Sequence, residues 1–184
     1  MKPDSPFHQL LAAPGPADLG PGPRSGVQAL SGLNLRTAQA LEQAMISGPR
    51  AELIRAALLL WHDQLDAAHT LAQEIENRDG SYLHAIMHRR EPDYDNAKYW
   101  FRRVGAHPCF EELAARTAAL LQAGHHSRLA ARLLPGAVWA PFAFVDACEA
   151  AADGAIPEAD AGLLRQIQQV EFEVLIDHLA GKSR

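Results

Sequence analysis

Residues 54–75, IRAALLLWHDQLDAAHTLAQEI, carry two interleaved patterns. Ile54, Leu58, Trp61, Leu65, Ala68, Ala72 and Ile75 recur at alternating steps of four and three, the apolar stripe of an amphipathic helix. His62, Asp66, His69 and Gln73 repeat the same rhythm one position later, so they form a polar stripe rotated by about 100° from the apolar one. A polar stripe at that angle lies on the border of the buried face and can line a groove. The spacing predicts one uninterrupted helix, started by Pro49 after the break at Ser47-Gly48.

The next stretch, residues 82–105, reads YLHAIMHRREPDYDNAKYWFRRVG. His84, His88 and Glu91 fall at i, i+4 and i+7 on a second helix, which Pro92 ends because the residue before proline is biased away from helix. Asp95 can cap a further helix to Val104, with Gly105 suited to its C-terminus. Asp79-Gly80-Ser81 is a turn signal between the two long helices, short enough to force an antiparallel hairpin. The two polar stripes are then expected to face each other.

Away from this centre the same signals continue. Residues 1–33 are rich in proline, glycine and small side chains, which argues for an arm without regular elements, tacked on by Phe7, Leu10 and Leu11. Residues 34–184 are expected to form a single helical domain. A short helix follows Asn34, and others run from Pro108 to about Gln122, Ser127 to Leu134, Pro141 to Ala152, and from Pro157 onward with Leu163, Leu164, Ile167, Val170 and Val174 inward. Alternating strand-like runs are missing. The fold class is therefore all-α, an irregular bundle of six to eight helices in antiparallel hairpins.

The chain has 184 residues, 48% of them hydrophobic, enough for one domain with a sizeable core. A net charge of -5 argues against a nucleic-acid partner, which requires a basic face. Two widely spaced cysteines, Cys109 and Cys148, suit reduced thiols and a cytoplasmic location, and no apolar run has membrane-spanning length. Cys109, two residues after His107 and near a helix start, is a candidate for a stabilised thiolate. His125, His126 and His178 stand alone in the sequence, and solvated or capping roles suit them.

From Ala85 through Asp93-Tyr94, Ala97, Phe101 and Pro108, one hairpin resembles a tetratricopeptide or Sel1-type repeat. HDQLDAAH at 62–69 followed by SYLHAIMHRREPDYDNAKYWFRRVGAHP at 81–108 resembles an uncharacterised family of small proteins. That likeness implies no activity, cofactor or partner.

Two functional readings rest on these residues. His84 and His88, one turn apart, can share a divalent transition-metal ion with one or two of His62, Asp66 and His69, and Glu91 can serve as an additional ligand. Imidazole and carboxylate suit zinc, iron, manganese or nickel. Alternatively, Arg89 or Arg90 with Arg102 or Arg103 can hold a small anion, walled by Tyr82, Tyr99 and Trp100, with histidine beside it as acid or base. The opposing reading is a helical module that binds another protein, in which the histidine and aspartate stripe is a hydrogen-bond network.

Overall fold

The computed structural model describes residues 5–12 and 15–181, and within them ten α-helices and no strand. They are α1 (Pro6–Leu10), α2 (Leu30–Gln43), α3 (Pro49–Trp61), α4 (Leu65–Ala72), α5 (Arg78–Arg90), α6 (Tyr94–Val104), α7 (Cys109–Ala123), α8 (Ser127–Leu133), α9 (Pro141–Ala152) and α10 (Glu158–Leu179). Pro49 and Pro141 open their helices in the first turn, where a missing N–H costs nothing. Gly105 ends α6 at φ 59°, a left-handed conformation that glycine adopts without strain. Helix α10 is the central strut, packed against α3, α7 and α9, and α5 with α6 forms the most closely packed pair. No helix among the described residues is long and apolar enough to cross a membrane.

The uninterrupted helix expected from Pro49 through Gln73 is two helices. Helix α3 stops at Trp61 in a Schellman turn: Asp63 N–H reaches Leu60 O at 3.2 Å and Gln64 N–H reaches Leu59 O at 2.9 Å. Asp63 holds the left-handed position at φ 61°, a conformation that aspartate tolerates better than most residues. Its carboxylate stabilises the break, accepting from the Arg24 backbone N–H at 2.9 Å, from Arg24 Nη1 at 3.2 Å and from Arg90 Nη2. The apolar period continues across the interruption, so periodicity alone does not reveal it.

Two other local assignments shift. The turn lies before Asn77, whose side chain accepts the Gly80 N–H at 2.8 Å, so Asp79 sits in the first turn of α5 instead of in a loop. Asp93, not Asp95, caps α6. The proline- and glycine-rich arm contains α1 and buries Phe7, Leu10, Leu11, Ala17 and Leu19 in the common core, while α2 begins at Leu30, before Asn34.

The arm is held by polar contacts as well as apolar ones. Trp61 donates its indole N–H to Leu11 O at 2.8 Å, and Arg90 donates to Gly20 O at 3.1 and 3.2 Å. Gln168, in the middle of α10, donates to Ala17 O at 3.1 Å and to Asp18 O at 3.0 Å. Beside it, fully buried Arg89 pairs with fully buried Glu171, donates to Gln168 Oε1 at 3.2 Å and lies 4.5 Å over the Phe144 ring. Tyr82 completes the knot by donating to Glu171 Oε1 at 3.2 Å. Burial opposes the charge on Arg89, but the Glu171 carboxylate outweighs it and raises the guanidinium pKa.

Candidate functional site

The residues expected to form one site separate into three places. His62, in the turn after α3, is sealed: its Nε2 lies 2.7 Å from Leu10 O, and its Nδ1 accepts the Gln28 N–H at 3.3 Å. With both ring nitrogens occupied by the arm, His62 does not join His84 and His88. Asp66 is exposed on α4. Breaking the helix at Asp63 removes the register that would have aligned His62 with Asp66 and His69.

His69, His84 and His88 do come together. Their ring centroids lie 5.7, 6.2 and 6.4 Å apart, with His69 on α4 and the other two one turn apart on α5. His84 stacks on Trp100 of α6 at 4.3 Å and 18°, and its Nδ1 lies 3.0 Å from Gly80 O. His88 Nδ1 lies 3.1 Å from Glu91 Oε2, and Asn96 Nδ2 is 3.3 Å from its Nε2.

The arginines are divided between interior and surface. Arg89 and Arg90 are both completely enclosed and committed to carboxylates and carbonyls of the chain, so neither offers its fork to a ligand. Arg102 is exposed, and Tyr99, also exposed, packs edge-on against Trp100 at 5.6 Å. Arg103 lies 5.2 Å over Trp100 and reaches Tyr99 OH at 3.4 Å. The anion cradle built from Arg89 and Arg102 is not assembled, because a guanidinium on the inner face of α5 is neutralised within the fold.

Asp79, His107 and His178 form a tighter polar cluster. Asp79 comes from the first turn of α5, His107 from the segment before α7, and His178 from the last turn of α10. One carboxylate oxygen, Asp79 Oδ1, is 2.9 Å from His107 Nε2 and 3.0 Å from His178 Nε2, and the two rings meet edge to face at 5.1 Å. Burial pushes the Asp79 carboxyl up, but the two imidazole donors outweigh it and hold it well below the usual carboxylate range. His107 Nδ1 accepts the Cys109 N–H at 3.2 Å, so a neutral ring carries its proton on Nε2, toward Asp79. Among the described residues, these three side chains form a group with ligand atoms all within 4.8 Å of one another, and they can hold a metal ion.

Sequence reasoning missed this cluster because its members lie 28 and 99 residues from Asp79 and share no helical register. His178, expected to be solvated or capping, is instead joined to the carboxylate. Cys109 also departs from expectation: it is buried, and its thiol is pushed well above its ordinary value by burial and by the negative charge of Asp79. A helix start does not favour the thiolate there, since desolvation dominates. Cys148 is likewise a free buried thiol, pushed up to about 12 by burial.

The two buried histidines on the arm side and on α5 predict an acid response. Burial lowers His62 and His84 below their ordinary value, opposed in each case by a backbone carbonyl. The unfolded chain therefore takes up protons at these sites first, and folding stability falls as pH drops below about 6.5. His62→Gln is expected to show a smaller loss of urea midpoint between pH 7 and 5 than the unaltered protein. An equal loss in both would assign the acid response to other groups.

No family model matches this sequence, and neither the curated proteins nor the solved structures give a significant match.

Proposed function

We propose that the protein binds a divalent transition-metal ion through Asp79, His107 and His178. The reading is carried by the convergence of two imidazole nitrogens and one carboxylate oxygen from three separate elements within 4.8 Å. Two histidines and one carboxylate leave coordination positions open to water or a substrate, and this ligand set suits iron, zinc, manganese or nickel. The present distances of 2.9 and 3.0 Å are those of hydrogen bonds. Ligands sharing an ion with bonds of about 2.0–2.1 Å stand roughly 3.3 Å apart, so entry of the metal requires a small opening and the departure of the two Nε2 protons. For His107 the Nδ1 contact to the Cys109 N–H is lost as the proton moves across the ring.

The expected result is binding of one ion at this site, read by isothermal titration calorimetry. Asp79→Asn abolishes it. If zinc, iron, manganese and nickel all fail to bind in a manner sensitive to Asp79→Asn, the cluster is a hydrogen-bonded clasp between α5, α7 and α10.

The second reading, a helical module for a protein partner, is supported by an apolar hollow of about 710 Å³ beside α7 and α8, lined by Phe110, Ala114, Leu134, Val138 and Trp139. Val138 is 64% exposed there. The hollow and the Asp79 cluster share no residue, so the two readings are independent.

A further inference from the structure

The imidazole trio on the opposite side of α5 has a different chemistry from the Asp79 cluster. A carbonyl oxygen accepts only from N–H, so the contact of His84 Nδ1 to Gly80 O fixes that ring with the proton on Nδ1, while His88 Nδ1 lies 3.1 Å from Glu91 Oε2 as an ion-pair contact. The His84 lone pair is left on Nε2. This is the pattern that orients metal-bound histidines, in which the second nitrogen donates to a carbonyl or carboxylate. Asn96 Nδ2 stands almost equally far from both His88 ring nitrogens, 3.3 Å from Nε2 and 3.4 Å from Nδ1, and donates to Asp93 Oδ2 at 3.2 Å.

Three imidazoles on one ion with metal–nitrogen bonds of about 2.0 Å place their ring centroids about 5 Å apart. Here the separations are 5.7, 6.2 and 6.4 Å, and the ring nitrogens do not yet all lie within 4.8 Å of one another. His84 is fixed by its stack on Trp100 and by Gly80, and His88 lies against Glu91, whereas the ring of partly exposed His69 makes no hydrogen bond among the described residues. Rotation of His69 about its own side-chain bonds closes its separations of 5.7 and 6.2 Å, and the 6.4 Å between His84 and His88 closes when the His88 ring turns away from Glu91. Arg103, 5.2 Å from the Trp100 ring, is a cation on α6 whose charge acts against a positive charge at His84.

We propose that His69, His84 and His88 form a second transition-metal site, a three-imidazole centre for zinc or divalent copper with an open position toward solvent. It uses none of the ligands of the Asp79 cluster. Copper titration of the full chain tests it, because a bound copper ion quenches the indole stacked on His84. The expected results are strong quenching that Trp100→Phe removes, at least tenfold weaker copper binding in His69→Ala, and unchanged quenching in Asp79→Asn. Paramagnetic resonance of the copper form should show coupling to three nitrogens. Because His69 is partly exposed on α4, its replacement leaves the core untouched, with folding checked by circular dichroism. Unaltered affinity in His69→Ala overturns the proposal, as does quenching that depends on Asp79.

Discussion

Replacing Asp63 by alanine is expected to destabilise the protein by about 3–5 kcal/mol, measured by urea unfolding, because it strands a charge in the interior. The Asp63 and Arg90 side chains are both fully enclosed, and Arg24 shares the same carboxylate. Burial lowers the Arg90 pKa, and Asp63 is the group that opposes this. Alanine also loses the tolerance of aspartate for φ 61°. Asp63→Asn keeps the backbone preference and one acceptor oxygen while removing the charge, and should cost less. Equal losses for the two variants would mean that the left-handed turn contributes little and the charge nearly everything.

The second large effect concerns Arg89 and Glu171. Arg89→Met alone is expected to cost about 3–5 kcal/mol, since Glu171 remains buried without its cation. Adding Glu171→Leu and Tyr82→Phe removes the stranded carboxylate and the hydroxyl that depended on it, and should recover most of the loss. Urea midpoints of the single and triple variants decide the matter. A triple variant no better than Arg89→Met would show that this polar knot fixes the register of α5 on α10, beyond balancing its own charges.

These two knots mark the boundary of what the sequence reveals. The helical class, the starts at Pro49 and Pro141 and the end at Gly105 follow from periodicity and from conformational preferences that act within a few residues. The break at Asp63 does not, because its stabilisation comes from Arg24 and Arg90, 39 and 27 residues away. An aspartate inside an unbroken apolar rhythm gives no local sign of a left-handed turn. Likewise, the glycines and prolines of residues 15–24 suggest a loose strand of chain, yet the carbonyls of Ala17, Asp18 and Gly20 in that stretch satisfy buried donors on two helices, α5 and α10.

The same division applies to the candidate sites. His84 beside His88 is helical arithmetic, and the approach of His69 follows from folding α4 against α5. The exclusion of His62 required knowing that α1 delivers the Leu10 carbonyl to it. Asp79, His107 and His178 meet only because α7 and α10 pack together near the start of α5, a tertiary fact with no periodic trace. One arginine of each adjacent pair was expected to reach a common anion pocket. Instead, Arg89 and Arg90 both turn inward, toward Glu171 and Asp63 on different elements.

The clasp between Gln168 and the carbonyls of Ala17 and Asp18 has a temporal implication. These partners are separated by 151 and 150 positions, so at a synthesis rate of about 5–20 residues per second Ala17 leaves the ribosome roughly ten seconds or more before Gln168 exists to meet it. Through that interval Leu11, Ala17 and Leu19 have no complete surface on which to settle. The segment around Leu11, Ala17 and Leu19 in a nascent chain is thus exposed to chaperones and proteases until α10 emerges and Gln168 closes on it.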